Sequence, residues 1–229
     1  MRFITLLLVS LFIFSCGKDK VLQLPEIKQS EISKINDISP AYLFYNETEA
    51  DSVELNRKNL ISSTNWLINV DKRLTLKQAI PHIKFLQEKK ENSSHKNENS
   101  KNYFTCNNTS KTTLGFIEFT NTIYYKEPFN DFVSANSNLD FSNKMKIDFN
   151  TSKEIYAEFP LFDLSEVVLN TSNFEKHIKT VLANEAEPIE IILCFNQNLT
   201  FQDYISFKYM VLNLNLKNIT ISNNEFISN

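Results

Sequence analysis

The residues of this chain with most scope for nucleophilic or metal chemistry are its cysteines and histidines. They are Cys16, Cys106, Cys194, His82, His95 and His177. The three histidines stand far apart, and no pair of them has the spacing of metal ligands. We expect His177 to be a structural residue near an apolar helix face, and His95 to lie in solvent within a polar insert.

The acidic residues Glu47, Glu49 and Asp51 form a second group that could bind a cation. Carboxylates at alternate positions suit Ca²⁺, but a tight calcium loop needs a glycine that this stretch lacks. A solvated turn is the simpler interpretation. No Ser-His-Asp arrangement is indicated either, although such triads assemble in space and leave little trace in sequence. We therefore predict no catalytic residues, no metal, no cofactor and no enzyme activity.

Composition argues against two further classes of ligand. The 229 residues include only two glycines, Gly17 and Gly115, so neither the Walker loop nor the dinucleotide fingerprint can be built. The net charge of -3 gives no general attraction to nucleic acid. Hydrophobic content of 42% with 12% aromatic residues predicts a packed core.

Cys16 stands out because an apolar run ends at it and charged residues follow. Met1 and Arg2 precede about twelve mostly apolar residues, which is the pattern of a signal peptide and too short to span a bilayer. The sequence Ile13-Phe14-Ser15-Cys16 resembles a bacterial lipobox, in which cleavage before the cysteine is followed by acylation. The bulky Phe14 departs slightly from that pattern. Ordinary cleavage nearby, or retention of the segment, are the alternatives.

Acylation of Cys16 would place this protein in a bacterial cell envelope. Acyl chains at about 0.8 kcal/mol per buried CH₂ would hold it on a membrane permanently. Because Asp does not directly follow the cysteine, the outer membrane is weakly favoured. We predict a signal peptide over residues 1–15 and a lipid-anchored polar tether over residues 16–40.

The rest of the chain contains one unit twice. Residues 66–78 align with residues 191–203 as an apolar run, a polar turn and a Leu-Thr pair that opens a helix. In each copy the threonine and the residue three positions later can form a capping box, Thr75 with Gln78 and Thr200 with Asp203. Downstream, Lys101–Asn108 aligns with Lys217–Asn224, after a polar insert that only the first copy carries.

These alignments divide the chain into two α+β units. Residues 41–110 are the first, degenerate unit, residues 111–145 connect the two, and residues 146–229 are the second. The second unit is expected to begin with a hairpin around residues 150–153 and a helix capped at Ser172. We predict two tandem two-layer units of mixed sheet with helices on one face.

The order hairpin, helix, strand, helix, strand resembles the periplasmic domain of the ExbD/TolR family of biopolymer transport proteins. The apolar strand Pro188–Phe195, the turn Asn196–Thr200 and the closing segment Ile219–Ile221 carry this resemblance. It covers about the last 80 residues well and residues 40–110 faintly. The resemblance implies an ExbD-like fold, a tendency to pair as a homodimer and binding of extended peptide from an envelope partner.

The chain departs from that family in one important respect. The family's proton-carrying Asp lies in an N-terminal membrane helix, and the segment Met1–Ser15 is too short and contains no acidic residue. Proton-driven motor activity is therefore not implied. We expect a non-enzymatic lipoprotein that binds protein or serves an envelope transport system. An adhesion or binding lipoprotein of unrelated fold is the alternative, and a hydrolase is the third possibility.

Cys106 and Cys194 are the two cysteines that remain beyond the predicted anchor. The alignment places Cys194 on the central strand of the second unit and Cys106 on the last strand of the first. A disulfide needs Cα atoms closer than about 7 Å, which strands of different units rarely provide. We predict that both thiols are buried and free.

Overall fold

The computed structural model describes residues 20–95, 97–158, 167–182, 187–214 and 218–229. These residues form an α+β protein with two mixed six-stranded sheets and four helices. The strands are β1 (Glu26–Ile27), β2 (Ile38–Tyr45), β3 (Val53–Asn56), β4 (Asn65–Val70), β5 (Asn102–Asn108), β6 (Thr113–Glu118), β7 (Ile123–Tyr125), β8 (Lys144–Phe149), β9 (Ile155–Glu158), β10 (Val167–Leu169), β11 (Ile189–Asn196) and β12 (Ile219–Ser228). The helices are α1 (Leu76–Glu91), α2 (Phe129–Ala135), α3 (Phe174–Leu182) and α4 (Phe201–Leu212).

Both sheets are built around the same parallel arrangement. In the first sheet, β4 lies between β2 and β5 and is parallel to both, while β3 and β6 pair antiparallel on the outside. In the second sheet, β11 lies between β8 and β12 and is parallel to both. The hairpin partner β9 follows β8, and β10 extends that edge. The repeated order agrees with the sequence alignment, which predicted strands at residues 66–70 and 191–195.

Capping residues fix where the two equivalent helices begin. Thr75 and Gln78 form a capping box at the start of α1, and Thr200 and Asp203 form one at the start of α4, as predicted. The predicted cap at Ser172 is wrong. The Asn170 side chain accepts the N–H groups of Ser172 and Asn173 instead, because the chain turns two residues earlier than expected.

The last strands of the two units are not aligned as the sequence indicated. Trp66 pairs with Asn102, but the equivalent residue of the second unit, Ile191, pairs with Ile221 rather than with Asn218. The ladder also shifts between Ile191 and Leu193, where β12 carries an irregularity. Extra residues in one strand of a ladder move the register without changing the strand order.

The two units meet through a reciprocal set of backbone hydrogen bonds. The N–H of Leu76 donates to the carbonyl of Leu199 (2.9 Å), and the N–H of Phe201 donates to that of Leu74 (2.6 Å). Thr75 and Thr200 form an antiparallel bridge between them. The donor Leu76 corresponds to the donor Phe201 and the acceptor Leu74 to the acceptor Leu199, each 125 positions later, so the contact has a local twofold symmetry. The turns that follow β4 and β11 are therefore adjacent.

A single core joins the two units. Phe201 and Tyr204 of α4 pack edge-on against Phe104 of the first sheet, and Tyr204 also contacts Phe195 of the second. Helix α1 reaches the second sheet as well, because the Lys84 ammonium donates to the Tyr124 carbonyl at 2.8 Å. The two units therefore pack against each other, with α4 in contact with both sheets at once.

The predicted connecting segment, residues 111–145, contributes to both sheets. It supplies β6 to the edge of the first sheet and β7 to the edge of the second. Helix α2 then packs on the outer face of the second sheet, where Phe129 contacts Phe226. The segment therefore covers sheet surface as well as connecting the two units.

The polar tether was predicted over residues 16–40, but the described part of it, residues 20–40, packs on the first sheet. Strand β1 pairs with the end of β5, and Ile27 is buried. Ile32 and Ile35 then cover the outer face of that sheet around Leu67. The approach is close, since a Cβ on Gly115 would lie 2.6 Å from the Ser30 Cβ. Widely spaced isoleucines in a polar segment gave no periodic signal of this packing.

Candidate functional site

A polar cleft of about 540 Å³ lies where the C-terminal end of α1 meets the start of β5 and the turn before β7. Its lining includes amide and hydroxyl side chains that can both donate and accept hydrogen bonds: Gln87, Asn92, Asn97, Ser100, Asn102, Thr120, Asn121 and Thr122. Binding clefts commonly have volumes between about 300 and 1,000 Å³. The cleft is thus large enough for a short segment of a partner.

Three parts of the chain, distant in sequence, hold the cleft in shape. The Gln87 side chain of α1 donates to the Thr122 carbonyl at 3.0 Å, which fixes the turn before β7. The Asn102 N–H donates to the Thr120 hydroxyl at 3.0 Å, which ties the start of β5 to the same turn. These contacts make the walls of the cleft a preformed feature of the fold.

Lys90 is a buried titratable group in this cleft. Its ammonium lies 5.4 Å from the centre of the Trp66 ring and donates to the Lys101 carbonyl and to Asn102 Oδ1. The residue is only 6% exposed. Burial lowers the pKa of Lys90 to about 8, because the charged form loses its hydration.

The low pKa of Lys90 predicts a rise in stability at alkaline pH. Between pH 8 and about 10.5 the unfolded chain holds a proton on this lysine that the folded chain releases. The free energy of unfolding of the native protein should therefore increase across this window relative to a Lys90→Met variant, by about 1 kcal/mol or more. Urea unfolding at pH 7.5 and pH 10 measures this increase. Parallel pH profiles of the free energy of unfolding for the two proteins would contradict the prediction.

A second polar cluster lies in the core between the units. The Lys208 ammonium pairs with the Glu225 carboxylate, and both side chains are almost completely buried. Tyr204 donates its hydroxyl hydrogen to Glu225 at 2.7 Å, so the Tyr124 hydroxyl, 3.2 Å away, donates to Tyr204. Burial raises the pKa of Tyr204 well above its usual value. Every group has a partner here, which is typical of a structural network.

A third feature is the carboxyl edge of the first sheet. Asp71, at the end of β4, is fully buried and accepts two hydrogen bonds of 2.8 Å from the Arg73 guanidinium. Burial alone would raise the pKa of Asp71, but the Arg73 guanidinium and the N–H groups of Arg73 and Gln23 outweigh it and lower this pKa. The charged Asp71 therefore holds the backbone of Gln23 at this edge.

The residues singled out from the sequence do not assemble into one site. His82 Nε2 lies 3.0 Å from Asp51 Oδ2, His95 is exposed, and His177 is partly buried on α3. Glu47, Glu49 and Asp51 fall in the exposed turn between β2 and β3, which agrees with a solvated turn. In the part of the chain that the structure describes, no three His, Cys, Asp or Glu side chains could hold a metal ion.

The cysteine predictions divide into two cases. Cys106 on β5 and Cys194 on β11 are buried and free, as predicted. Burial raises the pKa of Cys106 to about 12, and burial also raises that of Cys194. Both are therefore unreactive in the folded state. Cys16, the predicted lipidation site, lies outside the described residues, so its acylation remains a prediction.

Sequence reasoning missed the cleft and its lysine. Lys90 belongs to a run of charged residues that reads as a solvated face, and the cleft forms only when residues 120–124 fold back on α1. The polar insert after α1 was recognised as an exposed loop, which is the one signal near this site. A single sequence does not distinguish a buried lysine from the exposed charged residues next to it.

The longest described helix, α1, has 16 residues, and none of the described helices is long and apolar enough to cross a bilayer. No protein-family model, curated protein or solved structure matches this chain.

Proposed function

We propose that this protein is a non-enzymatic, lipid-anchored binding protein of the bacterial cell envelope. In this proposal Cys16 carries the anchor, and the folded part is ExbD-like and binds an extended peptide of an envelope partner. The order β8, β9, α3, β11, α4, β12, with the short strand β10 between β9 and α3, supports the ExbD-like description of the second unit. The proposal excludes the proton-driven motor step, which would need a membrane helix with an acidic residue.

The polar cleft beside Lys90 is the observation that carries the binding function. Its amide and hydroxyl groups can match the alternating N–H and C=O groups of a peptide backbone. The exposed Glu88 also lines it, so a positively charged side chain of a partner would find a complementary group there. Because Lys84 and Lys90 already donate to backbone carbonyls, the cleft keeps its shape before a ligand arrives.

Selection from a library of displayed random peptides tests this function. The Cys16→Ser chain is immobilised, peptides are enriched, and the affinity of one enriched synthetic peptide is measured by titration. Replacing the exposed Asn121 of the cleft by tryptophan should weaken binding at least about tenfold, since the indole would occupy the cleft. The peptide should contain polar as well as apolar side chains.

The matched control is the same change far from the cleft, Asn198→Trp in the exposed turn after β11. It should leave the affinity of the peptide unchanged. Equal affinities for the native chain and both variants would show that the peptide binds elsewhere. Failure to enrich any peptide would count against the peptide-binding function. It would not bear on the acylation of Cys16, which is tested separately.

A further inference from the structure

We infer that the anchored protein stands with the carboxyl edge of its first sheet towards the membrane and its polar cleft pointing away. This orientation rests on the proposed anchor at Cys16. The anchor alone does not imply an orientation, because a flexible tether of the predicted length would let the folded part face the bilayer in any direction.

The chain contacts the fold from Lys20 onward and is hydrogen-bonded to it through the backbone from Gln23 onward. The Lys20 ammonium pairs with the Glu54 carboxylate of β3. Three residues later, the carbonyl of Gln23 accepts the Lys72 N–H at 2.7 Å, at the turn after β4. The carbonyl of Pro25 accepts the N–H of Asn107 at 2.8 Å. Residues 20–25 therefore cross the carboxyl edge of the first sheet from β3 to β5.

The second unit reinforces this attachment. The side-chain amide of Gln202, on α4, makes two hydrogen bonds with the backbone of Glu26, at 2.8 and 2.9 Å. The Glu26 carboxylate also pairs with the Lys72 ammonium at 2.7 Å. Both units thus bind this segment, so it keeps one position relative to both of them.

Only four peptide units separate Cys16 from Lys20. Fully extended, they span at most about 14 Å. The opposite end of the molecule is farther away, since the 16 residues of α1 run from the carboxyl edge to the cleft and alone measure about 24 Å. A tether this short cannot carry the cleft around to the bilayer while the segment stays attached.

Charge does not provide an alternative cause for this orientation. The exposed turn next to Lys20 carries Glu47, Glu49 and Asp51, which anionic lipid headgroups would repel. The covalent tether, rather than adhesion of this surface to lipid, sets the orientation. We therefore expect the same orientation on neutral and on moderately anionic vesicles.

Energy transfer from two labelled sites to the vesicle surface tests the orientation. The acylated chain is reconstituted into phosphatidylcholine vesicles that contain a headgroup-labelled acceptor lipid. A donor dye is placed on Glu49→Cys, beside the tether, or on Ser94→Cys, in the insert after α1. Cys106 and Cys194 are buried and should stay unlabelled. Transfer from residue 49 should be at least about twofold higher, because the sites lie at opposite ends of α1.

A lengthened tether supplies the matched control. Inserting about 20 glycine and serine residues between Gly17 and Lys18 adds roughly 25 Å of flexible reach and should bring the two efficiencies close together. Equal transfer from both sites with the native tether, or higher transfer from residue 94, would overturn the orientation alone. A chain without an acyl group on Cys16 in mass spectrometry would overturn the anchor and the orientation together.

Discussion

Replacing Glu225 by alanine should lower the free energy of unfolding by about 3 to 5 kcal/mol. The change removes the carboxylate that pairs with Lys208 and leaves a buried ammonium without its counter-charge. It also removes the acceptor of the Tyr204 hydroxyl. Urea unfolding monitored by far-ultraviolet circular dichroism measures the loss.

A double variant separates the charge from the cavity. Glu225→Ala with Lys208→Met removes both charges, so it should be more stable than Glu225→Ala alone even though it changes more of the core. Circular dichroism of each folded protein before unfolding verifies that the fold is kept. If the double variant were the less stable of the two, the loss would come from packing rather than from an unpaired charge.

Changing Cys16 to serine should abolish acylation of the protein completely. The thiol is the only group in the predicted lipobox that can accept the diacylglycerol, and a serine hydroxyl does not replace it in this pathway. Expression in a lipoprotein-competent bacterium with labelled palmitate measures incorporation. The native chain should carry label and partition with membranes, and the Cys16→Ser chain should carry none.

The other two cysteines provide controls for this experiment. Cys106→Ser and Cys194→Ser make the same chemical change at buried positions, and both variants should retain the label. Label that survives Cys16→Ser would place the acyl group elsewhere or show that the lipobox is not used. Loss of label in all three variants would indicate a folding or export defect instead.

Local features of the fold could be predicted from the sequence. The pairs Thr75 with Gln78 and Thr200 with Asp203 mark helix starts because a capping box involves only four consecutive residues. The apolar runs before them indicate buried strands for the same reason. The alignment of the two copies likewise indicated that both units would share one order of strands and helices along the chain.

Features that depend on distant parts of the chain could not be predicted. The irregularity in β12 and the insertion of Gln23 at the turn after β4 depend on which segments meet in three dimensions. The cleft beside Lys90 likewise needs residues 120–124 to fold against α1. Only an assembled core decides that Lys90 is buried while the neighbouring Lys89 is exposed.

The reciprocal bonds around Thr75 and Thr200 have a consequence for how such a chain can diverge. In this interface residue i of one half contacts residue j of the other, and the equivalents of these two residues contact each other as well. Such an interface is isologous, as between identical subunits of a C2 assembly. In two identical subunits every substitution enters both halves. With both halves in one polypeptide, each half changes independently, so one can gain the insert at residues 92–100 while the other alone keeps helix α3. Asymmetry of this kind allows one half to hold the anchor segment and a different surface to bind a partner.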